Sequence, residues 1–257
     1  MQTVSLFLSS ATATSYEQSV GTFRVNFDNP IQIPRDAKTC QLRVIQADIW
    51  NLVSNVSPSV GNKISVQVGG VGTVYVLTIP EGQYSVEALN AAIQNELVIN
   101  ALLATNLVIS ADAATQKVLF SSDTAGTIVS FPTSDSMYNI LGFPLGGSLV
   151  LTTALATFTA PNIAAFNNVN TFLVHSDIVD GGIPVNGKTL GVIAKVPITV
   201  SSGSLIPFAP GYPIAVSCNN IIGSSIQSIQ VWLTSEDGFT RVNTREDFGV
   251  LIELSYA

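Results

Sequence analysis

Apolar and polar residues alternate with a period of two along much of this chain. Phe248, Val250, Ile252 and Leu254 alternate with Gly249, Leu251, Glu253 and Ser255, and Ile229, Val231 and Leu233 alternate with Gln230, Trp232 and Thr234. Each run reads as a strand with one buried face. Glu236-Asp237-Gly238 lies between them with turn residues, Gly238 being free to take positive φ. The C-terminus therefore reads as a β-hairpin or a pair of neighbouring strands. Further strands are expected at 3–11, 22–27, 41–52, 63–68, 73–79, 107–110, 117–121, 128–131, 149–154, 171–176, 190–195 and 214–217, where Val, Ile, Thr and Phe dominate. Many short strands punctuated by Gly, Pro, Asn and Asp predict a mainly all-β chain, an antiparallel sandwich of the jelly-roll kind.

Two helices interrupt this rhythm. Ser85 is a good N-cap, Glu87 sits in the first turn, and Val86, Leu89, Ile93 and Leu97 make one apolar stripe, predicting a helix from Val86 to near Ala101. Tyr84 and Leu89 have the spacing of a hydrophobic staple. A shorter helix is expected from Ser136 to Leu141, stopped by Gly142 with Phe143 folding back. The stretch from about 61 to 147 thus forms an α+β subregion, with a hairpin turn at Asp112-Ala113-Ala114-Thr115-Gln116. It lies within what reads as one jelly-roll domain, 1–257; the pattern leaves open whether it stands apart as a subdomain. The apolar start, Met1 to Leu8, has no basic residue ahead of it and reads as an N-terminal strand rather than a signal peptide.

Composition changes the picture. Only 11% of the 257 residues are charged, against about 25% in an ordinary soluble domain. Mean hydropathy is +0.43, yet no run approaches the roughly 18 apolar residues of a membrane helix. A chain so poor in charge is expected to cover its surface with other protein subunits. The net charge of −7 and the scatter of its ten cations, Arg24, Arg35, Lys38, Arg43, Lys63, Lys117, Lys188, Lys195, Arg241 and Arg245, argue against a nucleic-acid surface. Cys40 and Cys218 read as two buried free thiols, a bridge between them being open in an oxidising compartment. The sequon Asn55-Val56-Ser57 carries no weight without a secretory signal.

The chemistry-bearing residues form no catalytic pattern. His175 is the single histidine, and no nucleophile motif accompanies it, so it reads as structural. His175, Asp177 and Asp180 are too few and too poorly spaced for zinc or calcium. Glu236, Asp237, Glu246 and Asp247 flank turns, where acids are ordinarily solvated rather than paired for glycoside hydrolysis. Gly69-Gly70-Val71-Gly72 lies between two strands without a following helix or Lys and reads as a hairpin loop, not a phosphate cradle. Trp50, Trp232, Tyr75, Tyr84, Tyr138, Tyr212 and Tyr256 are aromatics suited to sugar stacking, but their spacing marks no binding face. The expectation is no catalytic residue, no metal and no cofactor.

One ordered set of short motifs does stand out. Ile79-Pro80-Glu81-Gly82-Gln83-Tyr84-Ser85-Val86-Glu87-Ala88-Leu89-Asn90 is followed by Ile140-Leu141-Gly142-Phe143, Lys195-Val196-Pro197-Ile198 and Pro210-Gly211-Tyr212-Pro213-Ile214. Then come Ile226 to Leu233, Asp237-Gly238 and Asp247-Phe248-Gly249-Val250-Leu251-Ile252. From about Lys63 to the C-terminus this order resembles the penton (minor, vertex) capsid proteins of lipid-containing and large double-stranded DNA viruses, virophages and polinton-type elements included. The resemblance implies a jelly-roll subunit, a homopentamer at fivefold vertices beside capsomers of a separate major capsid protein, a place in the virion and no enzymatic activity. Minor capsid or spike proteins would be further partners; nucleic acid and membrane insertion would not. Two competing readings remain: a double jelly-roll major capsid protein forming trimeric capsomers, which needs about sixteen strands, and a carbohydrate- or receptor-binding β-sandwich of a spike.

Overall fold

The structure is a computed structural model that describes residues 1–166, 169–201, 203–242 and 246–257; Arg245, one of the scattered cations, lies outside the described residues. The chain divides into two compact units, Met1–Val53 with Val169–Ala257, and Ser54–Asn168. In sequence the second is inserted into the first.

Among the described residues, eight principal strands frame the first unit: β1 (Gln2–Ser9), β2 (Thr22–Gln32), β3 (Cys40–Trp50), β4 (Thr171–Ser176), β5 (Val192–Pro197), β6 (Leu205–Phe208), β7 (Ser225–Thr234) and β8 (Gly249–Tyr256), with four shorter ones at Ser15–Glu17, Pro184–Val185, Lys188–Thr189 and Val216–Ser217. One sheet has the order β1-β8-β3-β6, with the short strand Val216–Ser217 also on β3; the other has β5-β4-β7-β2, with Ser15–Glu17 outside β2. The pairings are antiparallel. Every step along the chain except β4 to β5 changes sheet. This is the doubly wound Greek key of a jelly roll.

The core lies between the two sheets and is filled by alternate side chains. Val250, Ile252 and Leu254 of β8 face Ile229, Val231 and Leu233 of β7 across it, all at 0% exposure. At one end Phe23 and Phe248 meet edge to face, 4.9 Å apart. In β3 the buried positions switch from Cys40, Leu42 and Val44 to Ala47 and Ile49. The switch coincides with a register shift opposite Leu251 and Ile252, where β3 carries an extra residue. Such a bulge resets which side chains point inward.

The C-terminal strands are not a hairpin. β7 lies between β4 and β2 in one sheet, and β8 between β1 and β3 in the other. Both are flanked on two sides, so each has its hydrogen-bonding edges filled by other strands. The expected turn does form: Gly238 has φ +80°, and the Asp237 carboxylate accepts from the Phe239 and Thr240 amides and from the Ser235 and Thr240 hydroxyls. Burial alone would raise the Asp237 pKa; these bonds outweigh it and hold the carboxyl well below the usual range.

The second unit holds a four-stranded sheet in the order Ser148–Leu151, Thr127–Ser130, Lys63–Gln67, Tyr75–Thr78, and a three-stranded sheet in the order Phe158–Thr159, Lys117–Ser121, Val108–Asp112. Helix α1 (Val86–Ile99) packs on the latter. Its Ser85 cap accepts from the Ala88 amide at 3.2 Å. Leu89, Ile93 and Leu97 are fully buried in a core with Phe120, Phe131 and Leu77. Asn90 Oδ1 accepts from the Ile109 amide at 2.8 Å, satisfying a donor on an edge strand. The strand, strand, helix and hairpin order matches expectation, with Asp112 closing the 112–116 turn by accepting from Ala114 and Thr115.

The second expected helix is a hydrogen-bonded turn. Only Leu141 N–H to Met137 O, at 3.1 Å, has helical spacing before Gly142, φ +79°, reverses the chain. The segment is tied to a strand instead: the Met137 amide donates to the Lys63 carbonyl, and the Asn62 and Lys63 amides donate to the Asp135 carbonyl. Among the described residues α1 is the one α-helix, and no helix is long and apolar enough to cross a membrane.

Candidate assembly surface

The residues most able to do chemistry are engaged in holding the sandwich together. His175, on β4, is 1% exposed. Its Nδ1 lies 2.8 Å from the Leu190 carbonyl, which can only accept, so Nδ1 carries the proton; Nε2 lies 2.7 Å from the Thr234 hydroxyl, which is also 3.1 Å from the Ser235 carbonyl. The ring stacks on Trp232 at 5.2 Å, and the Arg241 guanidinium covers the same indole at 4.7 Å. Burial lowers the His175 pKa; the Leu190 carbonyl opposes that and the Arg241 charge adds to it. This is a neutral structural histidine.

The neighbouring acids are not gathered around it. Asp177 accepts from the Gln230 amide at 2.9 Å and lies 3.7 Å from Arg24; burial raises its pKa against those two interactions. Glu236 accepts from the amides of Asn170 and Thr171, at the start of β4. Asp247 accepts from the Ser10 hydroxyl at 2.8 Å. Among the described residues no group of three or more His, Cys, Asp or Glu is placed to hold a metal ion. Asn55 is 4% exposed and donates to the carbonyls of Tyr84 and Phe166, so its side chain is committed inside the unit. The Gly69–Gly72 stretch joins two antiparallel strands, as expected of a hairpin loop.

The ordered motifs divide into two kinds. Most are explained by internal packing. Gly82 bridges Val56 through two backbone hydrogen bonds, and a Cβ there would stand 2.8 Å from the Tyr84 ring, which bonds through its hydroxyl to the Pro80 carbonyl. That arrangement sets the chain's entry into α1. A Cβ on Gly142 would stand 2.3 Å from the Asn162 carbonyl oxygen, while Phe143 packs at 4.7 Å from Phe131 and 5.5 Å from Phe120. Pro197 ends β5, an edge strand, where its missing N–H costs no ladder bond.

Pro210-Gly211-Tyr212-Pro213-Ile214 is the exception. Tyr212 is 95% exposed and Ile214 is 59% exposed. Two prolines restrict the loop that presents them. A ring on such a restricted loop would lose little conformational entropy if covered. Other exposed apolar side chains cluster locally, as at Val98, Ile99 and Leu103 by the end of α1. The expected strand 214–217 forms only at Val216–Ser217, leaving Ile214 in the exposed loop, because exposure is not written in a period-two pattern.

One hollow, about 310 Å³, opens on the β1-β8-β3-β6 sheet. Phe7, Trp50 and Leu205 supply its apolar walls, Asp48 and Asp247 its carboxylates, and Gly249 leaves the space between. Phe7 lies over that glycine, since a Cβ there would stand 3.0 Å from the ring. Of the other aromatics suited to stacking, Trp232 lies against His175 and Tyr84 sits at the α1 entry.

No protein-family model and no curated protein sequence matches the chain. Among solved structures, the flagellar cap protein of Escherichia coli (its D1-D2-D3 domains) gives a TM-score of only 0.18 at 11% identity, over 98% of this chain and 56% of that one. The penton protein of mavirus, known from a crystal structure, gives a TM-score of 0.55 at 10% identity, with the match covering 100% of both chains. The chain shares, from end to end, the fold of the mavirus penton protein.

Proposed function

We propose that this chain is a viral capsid protein, the penton subunit, which forms homopentamers at the fivefold vertices of an icosahedral shell beside capsomers of a separate major capsid protein. The observation that carries the proposal is the jelly-roll fold, matched over its whole length to the mavirus penton protein. The role is structural and needs no cofactor. One face of each subunit meets a different face of the next, and a rotation of one fifth of a turn closes the ring. Scarcity of charge and the exposed Tyr212 and Ile214 supply adhesive surface for such seams. The whole chain, 1–257, acts as one capsid subunit, with the α+β unit as an insertion between β3 and β4.

The major-capsid alternative is less well supported. Among the described residues the second unit carries seven strands and an α-helix rather than a second eight-stranded sandwich. Carbohydrate recognition draws on the Phe7–Trp50 hollow with its two carboxylates, which has the aromatic walls and polar groups a sugar requires. Reproducible glycan-array binding abolished by Trp50→Ala would support it. The primary test is native mass spectrometry of the purified protein. A particle of five 27.0 kDa chains is expected. A stable monomer at every concentration, which also fails to join the major capsid protein, would overturn the proposal.

A further inference from the structure

We propose that Cys40 and Cys218 are a disulfide-forming pair that staples the jelly roll when the chain folds in the presence of a disulfide oxidant. The register builds the site. Val216 and Ser217 pair with Leu42 and Gln41 of β3, and one more step sets Cys218 opposite Cys40. The Cys218 amide donates to the Cys40 carbonyl at 3.0 Å, and the Cys40 amide donates to Asn219 Oδ1 at 2.7 Å, so both backbones are held. The two thiols are free, both residues are at 0% exposure, and their Sγ atoms lie 3.1 Å apart. A disulfide needs ~2.05 Å, so the two sulfurs must close by about one ångström.

The chemistry balances with a small-molecule disulfide such as oxidised glutathione. The thiolate of one cysteine attacks a glutathione sulfur, breaking the glutathione S–S bond and releasing one glutathione thiolate. The second cysteine then attacks the mixed disulfide, forming the Cys40–Cys218 bond and releasing the other. The protein loses two electrons and two protons, and the oxidant becomes two thiols. Burial pushes both folded-state thiols up, the Cys218 thiol furthest, which starves the folded protein of thiolate. Exchange therefore belongs to the folding chain, before this core closes. Once formed, the bond is equally shielded from reductants. It spans 178 positions, among the longest loops the chain permits, and so constrains the unfolded state strongly.

The test compares full-length protein refolded in a glutathione redox buffer with the same protein refolded under reductant. We expect the oxidised sample to lose two hydrogen masses, to show no reactive thiol in denaturant, to yield one linked Cys40–Cys218 peptide, and to melt roughly 10 °C higher. Cys40→Ala and Cys218→Ala, made separately, should each melt at the same temperature in both buffers. Two reactive thiols per chain after oxidative refolding to the native spectrum would overturn the proposal. So would glutathione adducts in place of the bridge, or a bridged protein that melts no higher than the reduced one. The wild-type comparison decides even if a variant fails to fold.

Discussion

Tyr212→Ala separates assembly from folding. The side chain is 95% exposed on an isolated subunit, so its loss should change folding stability by no more than about 0.5 kcal/mol and the melting temperature by no more than about 2 °C. At a subunit seam the same ring removes about 150–250 Å² from water. At about 25 cal/mol per Å² this favours association by roughly 4–6 kcal/mol if burial is complete. Ordering the side chain and incomplete burial reduce that to about 2–4 kcal/mol per seam, the range of an interface hot spot. Each 1.4 kcal/mol is about tenfold in affinity, so the subunit dissociation constant should rise roughly 30- to 700-fold. Sedimentation velocity over a dilution series, with thermal melting of the same samples, measures both quantities. Assembly at wild-type concentrations with an unchanged melting temperature would remove the loop from the seam. A melting temperature several degrees lower would show that the ring packs within its own subunit, and the argument from exposure would fail.

Gly142→Ala should do the reverse. Its positive φ and the Asn162 carbonyl 2.3 Å from the new Cβ predict a loss of about 3 kcal/mol, or roughly 6–12 °C in melting temperature, with the folded fraction assembling normally. Ser85→Ala removes the acceptor for the Ala88 amide and should cost about 1 kcal/mol, read from chemical denaturation. For His175 the folded pKa is depressed, so the unfolded chain binds the proton more readily. The stability it contributes is complete above its unfolded value near 6.5 and is lost as pH falls through that value toward the folded one. Melting temperature measured between about pH 7 and pH 5 should therefore decline on acidification, and His175→Gln should flatten that decline; an unchanged slope would mean that the ring is not held neutral.

Local signals carried the reading of this chain where one element's own residues determine its structure. The Ser85 cap and the Leu89–Ile93–Leu97 stripe lie within a few turns of each other, and α1 forms from Val86 to Ile99. The strands Lys117–Ser121 and Thr171–Ser176 fall at their expected ends because turn residues bound them. Pattern failed where the partner is distant or the rule is conditional. Leu205–Phe208 contains Pro207, which argues against a strand in general but is tolerated on the edge of a sheet, and only the topology makes β6 an edge. The bulge in β3 hides the continuity of its buried face, since alternation breaks at Ile45 and resumes on the other parity. The stretch from Ser136 to Leu141 has helical composition, but its Met137 amide donates to the Lys63 carbonyl and the Asp135 carbonyl just before it accepts from the Asn62 and Lys63 amides, all far away in sequence. The same logic explains why the proposed assembly surface is harder to read than the fold. Gly82, Tyr84, Gly142 and Phe143 are crowded by backbone and rings, a constraint satisfied within one unit. Tyr212 meets no such constraint on its own subunit. An exposed aromatic ring on a proline-restricted loop is explained by no contact within its own subunit, so its reading rests on what would cover it.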